Sequence, residues 1–191
     1  MRFRRLELDQ IPAAGRPLAE RVLRVSADGL GGPFNLMLRS PAMGNRLMDL
    51  MQYFNDETTV LEPRTRRLAV LILARISNAR YAWWSHSRRA LNNGEFPMSV
   101  IDSLNAGRIP DDLEPRHAVA ARFVVELLRP AGASDATFHM LREYLEEPEV
   151  VELITFCGTY TTVAFLLREG QVGLPADAVD TLLPVAAPFT D

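Results

Sequence analysis

The chain has 191 residues, 48% of them apolar, with 24 acidic and 21 basic side chains and a net charge of −3. That is the composition of one globular domain with a sizeable core, and it offers no basic footprint for nucleic acid or an anionic membrane surface. One cysteine, Cys157, excludes an internal disulfide and a CxxC motif, and the lack of any lysine excludes a lysine Schiff base or a pyridoxal phosphate linkage.

The N-terminal MRFRRLELDQ carries arginines with no apolar stretch behind them, so no secretory signal is expected. No apolar run reaches the roughly 18 residues of a spanning helix, and a cytoplasmic protein is the expectation. A first helix is predicted over 17–26, with Leu18, Val22 and Val25 on one face, followed by a glycine-rich loop over 28–33. A short apolar stretch, 34–38, leads to Ser40-Pro41, an N-cap followed by proline in the first turn. Met43, Leu47, Leu50, Met51 and Phe54 follow at helical spacing. Glu62-Pro63 opens a further helix, apolar on both sides and therefore expected at the centre of the fold. Later helices are predicted over 96–104, over 115–128, from a cap at Ser134 to about 145, and from Pro148 to a stop at Gly170. The last one carries Val151, Ile154, Cys157, Thr161 and Phe165. Residues 171–191 hold Pro175, Pro184 and Pro188 and are expected as an extended tail on a single domain spanning 1–191. No strand periodicity is present, so the fold class is all-α.

The richest stretch is 67–94, RLAVLILARISNARYAWWSHSRRALNNG. An apolar run breaks at Ser77-Asn78 and restarts with Tyr81, Trp83, Trp84 and His86. Asn78 is expected to open this second helix, with an anion favoured near its first turn. Asn92-Asn93-Gly94 is a C-terminal stop.

The blocks GPFNLMLRSPAM, PRTRRLAVLILARISNARYAWWSHSRRALNNG and VELITFCGTYTTVAFLLREGQVGLP, in that order, resemble the carboxymuconolactone decarboxylase and alkylhydroperoxidase D superfamily. The family's hallmark helix often reads tyrosine-glutamate-tryptophan-x-x-histidine, which Tyr81 to His86 fits apart from Ala82. The resemblance implies an all-α, alkylhydroperoxidase D-like helical fold built on a helical hairpin and assembled as a trimer or hexamer. It also sets out what this chain lacks. With His86 in register, the relay glutamate of the peroxidase branch falls on Arg67 and its two cysteines on Ala79 and Ala82. Arg39 stands where relatives often carry a histidine.

Two roles remain open for His86: a structural histidine in a subunit contact, or an acid–base group whose pKa lies near neutrality. Arg67 is either a surface arginine or a clamp for a substrate carboxylate, with Arg39 as a second cation. Successive helical positions turn by about 100°, so Tyr81, Trp83 and Trp84 cannot share one face. One tryptophan is core, and the other is expected to wall a pocket beside His86, where Ala79 and Ala82 leave room. His117 and His139 have no partner pattern, and no metal-ligand spacing is present. The function expected is a cofactor-independent enzyme on a small organic acid or lactone. In it His86 and Tyr81 would be catalytic, and Arg67, Trp83, Trp84 and Arg39 would bind substrate. The alternatives are a non-catalytic oligomeric binding module and, by family alone, an alkylhydroperoxidase-like antioxidant protein. The partners expected are a small carboxylate or lactone and further copies of the chain, not nucleic acid or membrane.

Overall fold

The computed structural model describes residues 2–26, 28–184 and 188–189, and among them there is no strand. After two 3-10 turns come α1 (Arg16–Val25), α2 (Phe34–Met37), α3 (Pro41–Tyr53), α4 (Pro63–Ile76) and α5 (Arg80–Asn92). They are followed by α6 (Met98–Asn105), α7 (Pro115–Leu127), α8 (Asp135–Arg142) and α9 (Glu147–Glu169).

Helix α4 is the hub. Every residue from Leu68 to Arg75 is buried, and the helix packs against α5, α6, α7 and α9. This is the arrangement its two-sided apolar pattern dictates. The start signals at Pro41, Pro63, Pro115 and Pro148 all fall in the first helical turn, where proline removes no needed donor. Ser134 caps α8 by accepting from the Thr137 amide. Ser40 occupies the cap position of α3, but its hydroxyl caps nothing. Glu146 and Glu149 form a reciprocal capping box on α9.

The turn between α4 and α5 differs from the sequence expectation. Asn78 does not cap α5. It adopts a left-handed φ of 50° and ends α4, with the Ala79 amide reaching back 2.9 Å to the Ala74 carbonyl. Asparagine tolerates this conformation better than other non-glycine residues, so it terminates one helix instead of starting the next. Ala79 takes the cap position, and its methyl group offers no hydrogen-bond acceptor.

Helix α9, at 23 residues, is long and apolar enough by composition to cross a membrane, which corrects the expectation that no segment is; half of that window is buried against the body of the protein. Its inner face is Val150, Leu153, Phe156, Cys157, Tyr160, Val163, Ala164 and Leu167, while Val151, Ile154 and Phe165 face outward.

The tail packs over the chain's own body. The Asn105 side chain donates to the Thr181 carbonyl at 2.7 Å and accepts from the Leu183 amide at 3.0 Å. Arg80 pairs with Asp180, and Leu182 is buried.

Candidate functional site

A cavity of about 560 Å³ opens between the α4–α5 hairpin, α3, α9 and the loop after α1. Tyr81, Ala82, Ser85, His86 and Arg89 all face it from α5. Their spacing places them on one helical face. Met48 and Met51 of α3 and Val163 and Leu167 of α9 form an apolar wall. The glycine-rich loop closes one side through Asp28, Pro33 and Phe34. The loop lies on the Tyr81 ring: Gly32 has a φ of +60°, and a Cβ there would come within 2.6 Å of a ring carbon. Only glycine meets both demands.

Arg67, His86 and Tyr81 therefore meet in one cavity; Trp83, Trp84 and Arg39 do not line it. Trp83 is 1% exposed and points the other way, its indole N–H donating to the Thr181 hydroxyl at 3.2 Å. Trp84 packs edge-on against Tyr81 and beneath the Arg88 guanidinium. Arg39 is exposed, bonded to the Arg4 carbonyl and stacked over Phe3. Neither tryptophan is the expected wall, since the tail covers one and a surface arginine the other. Ala82 lines the cavity but Ala79 does not, so the space runs along the face of α5 and not at its N-terminus.

Arg67 is not a free clamp. Its Nε donates to Glu95 Oε2 at 2.6 Å and a terminal nitrogen to Oε1 at 3.3 Å. The other terminal nitrogen lies 2.6 Å from His86 Nδ1. A guanidinium has no acceptor, so Arg67 donates and Nδ1 accepts. That fixes the neutral imidazole as the Nε2–H tautomer. Nε2 makes no hydrogen bond among the described residues and is not one of the sealed, unpartnered polar atoms, so it keeps accessible surface on a ring that lines the cavity. Burial first, then the charges of Arg67 and Arg89, hold the His86 pKa well below its ordinary 6.5. The imidazole is a neutral hydrogen-bond donor at pH 7, not the near-neutral acid that its residue type suggests. Burial works against the Glu95 carboxylate, but the hydrogen bonds from Arg67 and Asn93 and the nearby guanidinium charges overcome it and hold its pKa below 4.5.

Glu95 and Tyr160 are the site residues that the sequence did not disclose. Glu95 is the first residue past Gly94, whose φ of +64° turns the chain back so that the Glu95 amide bonds the Ala90 carbonyl at 2.9 Å. The same helix stop that was legible in the sequence aims this carboxylate at Arg67. Tyr160 stacks on Phe156 and stands edge-on to the His86 ring, with centroids 5.8 Å apart.

Burial and the Asp28 carboxylate push the Tyr81 phenol up to about 12, so it stays protonated. Asp28 also holds Arg88 at 3.4 Å and Arg89 at 3.6 Å. His117 lies outside the cavity, tying the starts of α4 and α7 through Glu62 at 3.3 Å. Cys157 is 1% exposed, and burial raises its thiol to about 12. Among the described residues no group of His, Cys, Asp or Glu gathers that could hold a metal ion.

The sequence matches no protein-family model and no curated protein. Solved structures do match. One is a protein of unknown function from Agrobacterium tumefaciens, described in connection with the antioxidant defence protein AhpD: 18% identity, TM-score 0.66, with 75% of this chain and 97% of that one covered. Another is an uncharacterized peroxidase-related protein from Ralstonia eutropha with an alkylhydroperoxidase AhpD core: 16% identity, TM-score 0.78, with 92% and 93% covered. The chain has the all-α, AhpD-like helical fold.

Proposed function

We propose that the cavity is the site of a cofactor-independent enzyme that acts on a small lactone or unsaturated organic acid by polarising its carbonyl. The observation that carries this reading is the His86 imidazole, locked by Arg67 as an Nε2–H donor in a cavity with an apolar wall on one side. A neutral imidazole donor is suited to a carbonyl oxygen that gains negative charge as a neighbouring C–CO₂ bond breaks. CO₂ leaves, the electron pair of the broken bond flows into the conjugated carbonyl, whose oxygen accepts a hydrogen bond from the His86 N–H, and a proton from solvent water then quenches the enolate at carbon. The apolar wall of Met48, Met51, Val163 and Leu167 removes water from the reacting group. Glu95 offsets part of the Arg67 charge, and what remains helps to keep the imidazole neutral.

The structural neighbours carry peroxide- and antioxidant-related descriptions. This chain's own residues support a different chemistry. Alanines stand at 79 and 82, and the lone thiol, Cys157, is buried with a pKa that leaves it protonated. Purified protein screened with lactones and unsaturated carboxylic acids should turn over members of that set. Hydroperoxide reduction with a dithiol should stay at background, and Cys157→Ser should change neither result. Ligand binding without any turnover would replace the enzyme by the binding-module reading. Peroxide turnover abolished by Cys157→Ser would replace it by the antioxidant one.

We also propose that the chain assembles as a trimer or hexamer through the outer face of α9. Val151 is 57% exposed, Ile154 41% and Phe165 49%. Thr155, Gly158 and Thr162 complete this uncharged stripe. A helix apolar on all sides is normally covered on all sides. Sedimentation should give a multiple of three chains at micromolar concentration, and Ile154→Asp with Phe165→Asp should split it to monomers. A wild-type monomer would remove the proposal.

A further inference from the structure

The cavity does not end at His86. A side pocket of about 70 Å³ shares the Arg67, His86 and Tyr160 walls with it and is also lined by Phe54, Phe156 and Arg66. Three arginines occupy the first turns of α4, and two of them are engaged. Arg64 bonds the Glu95 carbonyl and Glu114, and Arg67 bonds Glu95 and His86. Among the described residues the Arg66 guanidinium makes no hydrogen bond or ion pair, and its Nε is sealed from solvent without an acceptor.

The sealed Nε is an unpaired polar group, and the terminal nitrogens, also without a partner, keep accessible surface and are the atoms that a ligand in the side pocket would meet. Desolvation lowers the Arg66 pKa, while nearby Glu152 and Glu95 favour its charge. Neither carboxylate is available to pair with it. Glu152 accepts from the Tyr53 and Thr59 hydroxyls and from the Val60 and Leu61 amides, and Glu95 is held by Arg67 and Asn93. The side pocket is thus a cationic recess with no internal anion. The recess is several times smaller than the main cavity, a size suited to the polar end of a ligand whose body lies in the larger space.

We propose that Arg66, and not Arg67, anchors the carboxylate of the cavity's ligand, with the carboxylate seated in this recess and the apolar body lying along Met48, Met51 and Leu167. The proposal rests on the reading of the main cavity as a small-molecule site. It narrows the ligand to an acid whose charged end reaches past the imidazole. Arg89, on the cavity face of α5 beside Asp28, is the competing anchor.

The test uses hexanoate and hexanamide, which share a shape and differ in charge, titrated calorimetrically into the wild type and three variants. Hexanoate should bind the wild type at least about tenfold more tightly than hexanamide, the advantage of a charge-assisted hydrogen bond over a neutral one. Arg66→Gln should erase that preference while hexanamide binding stays. Arg66→Lys should keep part of it, which separates loss of charge from loss of fold. Arg89→Gln should leave it in place. Equal binding of the two probes to the wild type, or a preference that survives Arg66→Gln and disappears in Arg89→Gln, overturns the proposal and leaves the cavity reading standing. If neither probe binds, the cavity reading fails and this proposal with it.

Discussion

Replacing Arg67 with methionine is expected to destabilise the protein by about 2–4 kcal/mol, toward the low end of the range for breaking a buried ion pair. The two side chains are 16% and 14% exposed, so some screening remains. The loss is large because Glu95 keeps its negative charge with only Asn93 as a side-chain hydrogen-bond partner, and His86 Nδ1 loses its donor. Glu95→Leu in the same chain should recover much of the loss, because the stranded charge is then gone. Denaturant unfolding of the two single variants and the double variant measures the coupling. Additive losses would mean that Arg67 and Glu95 do not act as a unit.

The same unfolding experiments should show an acid dependence of known sign. The folded His86 pKa lies below the unfolded value, so as pH falls below 6.5 the unfolded chain takes up a proton that the folded one refuses, and stability drops. The Glu95 contribution is present above 4.5 and is lost as pH falls through its depressed folded value. In Arg67→Met the cation that helps to suppress imidazole protonation is removed, so the fall beginning near 6.5 should be shallower than in the wild type.

Most of the helices were legible because their limits are set by local chemistry. Pro63 after Glu62, Gly94 after two asparagines and Ser134 three residues before Thr137 each solve a backbone hydrogen-bonding problem within one turn. The hub position of α4 followed from its apolar residues on both sides. The orientation of α9 did not follow from its sequence. A helix apolar all round has no period that marks its inner face, so nothing in the residues alone separates buried Tyr160 and Cys157 from exposed Ile154 and Phe165. The tryptophans show a second limit. Helical geometry required one of them to leave the site, but it is the tail, through Thr181, that makes Trp83 a core residue, and that contact spans 98 positions of sequence. Arg67 shows a third. Its charge was legible, yet its partner lies 28 residues away, and only the turn at Gly94 brings Glu95 within reach.

The pairing of Arg67 recasts what His86 can do. With Nδ1 occupied and protonation suppressed, the imidazole stabilises developing negative charge through Nε2–H and does not deliver a proton as an imidazolium. His86→Ala should therefore lower kcat on a turned-over lactone by about 10²–10³-fold, the usual cost of one oxyanion donor. KM should change little, because the interaction strengthens only as the oxygen gains charge. His86→Gln should recover part of the rate, since the amide can offer an N–H from a similar position, whereas His86→Leu should resemble alanine. The kcat profile of the wild type should show no inflection assignable to His86 between pH 6 and 8, because the group titrates well below 6.5. A profile with an inflection near 6.5 that disappears in His86→Gln would mean that the imidazole works as an acid or base, and the electrophilic role would have to be abandoned.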